Sequence, residues 1–230
     1  MARLYINALT IISLLPALCE GVKPLCPDGY IDKATIDGDI LKTVNERRQA
    51  LIEGKQENGE TGGNLPRAKG MTKVRWSCEL EQTAVAALGE TCVPQRRTNS
   101  KRLADFFHHD NDPEYKDQPG KILKNALNSY LARIDSHSLN VPKGATKVRY
   151  NGDKQLKTYA NLVRSKNTEI GCAINTCSGF GQNSKMGEGA AMYCVLNSKD
   201  IRSGETIYEI ARNHIHHSRQ AGLIARWFTI

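Results

Sequence analysis

Seven cysteines constrain this 230-residue chain more than any other feature: Cys19, Cys26, Cys78, Cys92, Cys172, Cys177 and Cys194. What they can do depends on the compartment, and the first residues set that expectation. Arg3 gives a positive start. An apolar run from Leu9 to Leu18 follows, and the small residues Ala17 and Cys19 stand at the spacing of a cleavage site. This is the pattern of a secretory leader over 1–21, removed near Glu20 or Val22. A membrane anchor is the competing reading, but the run is too short for ~30 Å of hydrocarbon. No other segment approaches a transmembrane length, so an extracellular, secreted protein is expected. Cys19 leaves with the leader. Six cysteines then enter an oxidising compartment, and three disulfides are the economical reading. Zinc is the rival, but Cys172 and Cys177 have no second Cys or His pair at finger-like spacing. Count alone does not choose among the fifteen pairings of six cysteines.

The residues left after export, roughly 210, suit one domain with a sizeable core. The formal charge is +8. Outside the cell, a basic balance favours acidic cell surfaces, glycosaminoglycans or acidic proteins, or it serves solubility alone. Nucleic acid is not expected, since no basic helix is interleaved with aromatics.

Periodicity predicts four helices. In the first, Ile40, Leu41, Val44, Leu51 and Ile52 recur at helical spacing, with Asp39 as N-cap and Gly54 as the stop. A polar, glycine-rich loop follows from Glu57 to Asn64. The second helix runs from Glu79 to Thr91. Residues 93–119 read as irregular. The third carries the apolar stripe Ile122, Leu123, Ala126, Leu127, Tyr130, Leu131 and Ile134. The fourth spans 156–166. Glu169–Thr176 and Ala190–Asn197 read as strands that pair across a glycine-rich connection at 179–189. Helices over a small late sheet predict an α/β or α+β sandwich.

Four segments resemble one family in order. Asn45 to Arg48 is similar to its His-Asn-x-x-Arg signature, with Val44 where His usually stands. Gly62 to Met71, then Trp76 to Glu81 with Ala84, resembles its second-helix entry. Tyr159 to Val163, followed by Ile170 to Ala173, resembles the His-Tyr-Thr-Gln-x-Val-Trp and Ile-Gly-Cys-Ala block. Tyr193 to Asn197 and Gly204 to Glu209 resemble its closing element. The family is the cysteine-rich secretory protein, antigen 5 and pathogenesis-related 1 superfamily (CAP, or SCP). The likeness is strongest to the nematode Ancylostoma-secreted, venom allergen-like branch, and it spans about residues 26–209. The resemblance implies a three-layer α-β-α sandwich with a small central antiparallel sheet. It also implies the pairs Cys92–Cys177 and Cys172–Cys194, which leaves Cys26 for Cys78. The tail, 210–230, lies beyond the match; it is basic with an apolar end, and reads as a membrane-surface or docking segment or as disordered.

Many members of the family hold a divalent metal between two His and two Glu. Here the first His has no equivalent in Val93 to Arg97, which follow Cys92, and the resemblance leaves Arg96, Arg133 (at a Glu position) and Thr158 (at the second His) as degenerate cleft positions. Leu103 to Phe107 replaces the Gly-Glu-Asn motif. A guanidinium cannot ligate a cation. No metal, no cofactor and no catalytic residue is therefore expected. His108 to Asp112, and His214, His216 and His217 in the tail, read as solvated polar segments. Asp37-Gly38-Asp39 and Asn151-Gly152-Asp153 read as turns rather than as integrin-binding tripeptides, since neither starts with a basic residue. No nucleophile elbow or Cys-His pair is evident. The expected function is non-enzymatic binding of host extracellular or cell-surface proteins by a parasite product. Sterol or fatty-acid binding is the alternative, and metal-dependent hydrolysis a disfavoured third.

Overall fold

The structure, a computed structural model, describes residues 23–89, 92, 103–112, 114–177 and 189–212. The leader, Arg96, the glycine-rich connection between the late strands and the histidines of the tail lie outside these residues.

The first helical stretch starts seven residues earlier than Asp39. Asp32 is its N-cap, accepting from Thr35 N at 3.0 Å and from Thr35 Oγ1 at 2.6 Å. A turn at Lys33–Thr35 runs into a π-helical segment, Ile36–Leu41, and then into α1, Lys42–Glu53. Asp37-Gly38-Asp39 is therefore helical and not a turn. The reason lies in the row Ile36, Ile40, Val44 and Arg48, spaced by four and buried throughout. Burying that row outweighs the helix penalty of Gly38, about 1 kcal/mol. The stretch stops at Gly54, as its sequence predicts.

Helix α2, Cys78–Leu88, is capped by Ser77 Oγ, which accepts from Leu80 N at 3.3 Å. It stops short of Thr91 because Gly89 takes a left-handed φ of 56°. A short α3, Glu114–Asp117, precedes α4, Lys121–Leu131. The apolar stripe of α4 is buried as its periodicity predicts, but the helix breaks at Ala132 and resumes as α5, Arg133–Ser136. Helix α6 spans Lys157–Val163.

Two sheets result. The larger has the order β2-β5-β6-β3, from Arg75–Trp76, Glu169–Cys177, Gly189–Lys199 and Leu103–Asp110. The pairing of β5 with β6 is antiparallel, as expected, with Cys172 opposite Cys194; β2 joins β5 in parallel, so this sheet is mixed. The smaller sheet is antiparallel, in the order β1-β7-β4, from Ala68–Lys69, Thr206–Ile210 and Lys147–Arg149. Strand β3 corrects the expectation that 93–119 is irregular. Its polar side chains hid it, but its backbone pairs with β6 from Leu103 to Asp110.

Helix α2 covers one face of the larger sheet, through Leu80, Ala84 and Leu88 against Ala173, Ala191 and Val195. Helices α1, α4 and α6 cover the other, around Val44, Leu127, Leu162 and Ile170. This is the three-layer α-β-α sandwich. Close approach of α2 requires Gly171: a Cβ there would stand 2.1 Å from Glu81 N and 2.3 Å from Leu80 C.

The motif residues act as clamps. Arg48, 1 % exposed, donates to Thr72 O, Leu162 O and Arg164 O, tying α1 to the ends of two loops. Asn45 holds Val74 through both its N–H and its C=O. Glu81 is buried and accepts from Trp76 Nε1 at 2.9 Å and Tyr30 N at 3.1 Å. Arg164, where the resemblance has Trp, is also buried; it donates to Thr206 O and Lys199 O and pairs with Glu205 at 3.3 Å. Three disulfides join Cys26 to Cys78, Cys92 to Cys177 and Cys172 to Cys194.

Candidate functional site

The region to examine is where α4 ends beside β3. Tyr130, in the last turn of α4, donates from its hydroxyl to Phe107 O at 2.8 Å. Its ring meets Phe106 edge-on at 5.4 Å between centroids, and His108 edge-on at 6.1 Å. Burial pushes the Tyr130 phenol up, and the nearby Arg133 charge opposes that shift. Arg133 opens α5 and is exposed. Thr158 is half-buried in the first turn of α6, in the same helical layer. Leu103 to Phe107, which stands in place of Gly-Glu-Asn, is the first part of β3.

His108 and His109 are strand residues, so the expectation of a solvated polar loop from His108 to Asp112 is corrected. Successive side chains of a strand leave by opposite faces, and these two imidazoles cannot close on one ion. His108 lies opposite Met192 and His109 opposite Ala191. Burial pulls the His108 imidazole down, against the pull of Asp110, and keeps it neutral at neutral pH. Nε2 of His109 is buried with no hydrogen-bond partner among the described residues. Only Asp110 and Asp112 form turns: Asp110 Oδ1 accepts from Asp112 N, and Asp112 Oδ1 accepts from Glu114 N.

Reading the sequence alone misses the pair Asp105 and Tyr193. Burial holds the Asp105 carboxyl above its usual range, opposed by its hydrogen bond with Tyr193. Burial and the same carboxylate push the Tyr193 phenol up. The alternation of Ala104 and Phe106 with Asp105 was the available signal, and it is too short to be read against a polar background.

Among the described residues, two of the positions that the resemblance assigns to a divalent cation are Arg133, a fixed positive charge, and Thr158, a neutral hydroxyl. Among the described residues, one set of three ligand-type groups lies close together, Cys26, Cys78 and Glu81. Its cysteines are bonded to each other, and its carboxylate is held by Trp76 and Tyr30.

A groove of about 520 Å³ opens on the opposite side of the sheet, between the end of α2 and β5. Tyr30, Val85, Leu88, Ala173 and Ile174 supply its apolar lining. No helix among the described residues is long and apolar enough to cross a membrane.

Comparison with known proteins gives these shapes a context. The sequence is 23% identical over 156 residues to the "Ancylostoma secreted protein" of Ancylostoma caninum, covering 67% of this chain and 36% of that one. The chain thus spans about a third of the length of that curated relative. Among solved structures, NaASP2 with Zn2+ superposes with a TM-score of 0.65 at 20% identity, over 81% of this chain and 91% of that one. BmVAL-1 gives 0.63 at 21% identity, over 81% and 87%. These likenesses establish a shared fold. The pattern of the family described as CAP, the cysteine-rich secretory protein family, matches residues 41–197, and the chain is a CAP-domain protein of that family.

Proposed function

We propose that this is a secreted, non-enzymatic nematode CAP protein that acts by binding host extracellular or cell-surface proteins, to modulate immunity or haemostasis. In this reading residues 1–21 are a leader removed on export, 26–209 the working domain and 210–230 an appended tail. The observation that carries it is the chemistry at the cleft positions. An exposed guanidinium at Arg133 and a hydroxyl at Thr158 stand where the family's ligand set has a carboxylate and an imidazole. Three disulfides suit an oxidising compartment. One structure of the same fold, TM-score 0.51, is named a hookworm platelet inhibitor, which lends the haemostatic reading its precedent.

Three measurements test it. Titration calorimetry with Zn2+ should give no micromolar binding, and hydrolase assays no chelator-sensitive activity. Pull-downs from host plasma and leukocyte or platelet membranes should retain specific proteins, and empty pull-downs from all of these would end the proposal.

A second reading has one observation behind it. The apolar groove at Val85, Leu88 and Ile174 has room for a fatty-acyl chain or sterol. Solvent extraction of the purified protein followed by mass spectrometry should then release a stoichiometric lipid; finding none removes this reading.

A further inference from the structure

The outer face of the smaller sheet carries more cations than its one acid pairs. Across β1-β7-β4, Lys69, Glu209 and Lys147 stand abreast. Their neighbours Ala68, Tyr208 and Val148 are buried beneath, so alternation turns Lys69 and Lys147 outward, and Arg149 follows them past a register shift between β4 and β7. Arg212, two residues beyond β7, joins Lys69 and Lys147 along a groove of about 820 Å³. Lys69, Arg149 and Arg212 are exposed. One acid lies in this set, Glu209, and it pairs with Lys147 at 3.5 Å. Among the described residues, Lys69, Arg149 and Arg212 form no ion pair. Their platform is rigid: Tyr208 donates to Pro66 O from below, Arg149 donates to Gly204 O at its edge, and Ala211 N donates to Arg67 O.

Four cations around one acid on a fixed surface repel one another unless an anion is supplied. Gly144, Ala145 and Thr146 keep one wall of the groove low, and Ile210 is the sole large apolar side chain in its lining. Insertion into a bilayer would need a cluster of large apolar groups, and nucleic-acid bases would need aromatic rings to stack on; the lining offers one large apolar side chain and no aromatic ring. A groove fits a linear chain, and guanidinium and ammonium groups match fixed oxyanions. We propose that this groove binds a linear sulfated polysaccharide, with Lys69, Lys147 and Arg212 contacting its sulfates and Arg149, on the strand of Lys147 but outside the groove's lining, extending the basic surface beside it. The choice of a polysaccharide rests on the extracellular reading above; the binding chemistry does not.

The test measures affinity of the purified protein for a heparin oligosaccharide by calorimetry at several salt concentrations. One variant carries Lys69→Gln, Lys147→Gln, Arg149→Gln and Arg212→Gln. Its control carries Lys33→Gln, Lys42→Gln, Lys55→Gln and Lys124→Gln, an equal charge loss on exposed helical and loop positions. At about 0.15 M salt the first should bind at least about tenfold more weakly and with a shallower salt dependence, and the control should change less than about twofold. Thermal melts verify folding, and single Lys69→Gln and Arg212→Gln variants serve if the quadruple variant is unstable. Equal losses in both variants, equal binding of the desulfated oligosaccharide, or tighter binding of phosphatidylserine vesicles through the same four residues would overturn the proposal. Pull-downs repeated with excess soluble heparin keep the two proposals separable, because a host-protein partner remains when polysaccharide bridging is removed.

Discussion

A guanidinium 1 % exposed needs its donors met, and Arg48 meets them with three backbone carbonyls rather than with an acid. Desolvation lowers its pKa to about 10, so it stays charged at neutral pH. Arg48→Met keeps the apolar stem and strands those carbonyls in the interior. It should lose about 3 kcal/mol in urea unfolding, and Arg48→Lys, with one point charge for a fork, should recover only part of that. His108 gives the pH prediction. Its folded pKa lies below the ordinary imidazole value because burial disfavours the cation. The unfolded chain therefore binds its proton first as pH falls. Stability from neutral His108 is whole above the unfolded value, about 6.5, and is lost as pH drops from there towards the folded value. Melting temperature against pH should fall across that window, and His108→Gln should flatten that part of the curve. Asp105 has the opposite sign: its folded pKa is raised, so its ionisation as pH climbs past the ordinary carboxylate value costs stability.

Elements depend on how closely they approach. Helix α2 lies against β5 with Gly171 under Leu80 and Glu81, and a methyl group there would meet backbone that cannot move alone. Gly171→Ala should force α2 outward and cost about 3 kcal/mol, read by chemical denaturation. A resemblance at Ile170 to Ala173 marks the motif, but only the packing shows why the glycine is in it. Tyr130 plays the reverse part. Its hydroxyl takes Phe107 O on edge strand β3, which removes an acceptor that a stray strand could use. Helix periodicity made α1, α2 and α4 legible, because a buried stripe repeats over three turns. The two-residue strands β1 and β2 were not, since two residues carry no period.

For the whole molecule, the disulfides link layers. Cys26–Cys78 fastens the first described loop to the start of α2, and Cys92–Cys177 fastens the segment beyond α2 to the end of β5. Replacing Cys92 and Cys177 together by Ala should cost about 4 kcal/mol, from a loop spanning 85 residues. The sheet beneath is paired independently of that bond, so circular dichroism should retain its strand signal while the melting temperature falls. The candidate site sits on this scaffold and owes it its rigidity. Arg133 and Thr158 were legible as departures from a family pattern; the neighbours of Tyr130 were not, because Phe106 and His108 meet its ring only once β3 docks on β6.

The sequence by itself determined the family, the apolar faces of the main helices and the pairing of the two late strands. Each is written in residue types or in a repeating period, which are local. Only the tertiary structure decided that the segment of His108 is a strand, that helix begins at Lys33 behind the Asp32 cap, and that Lys69, Lys147 and Arg212 share one groove. These follow from strand register and layer packing, where residues more than a hundred positions apart take their places from burial of the core.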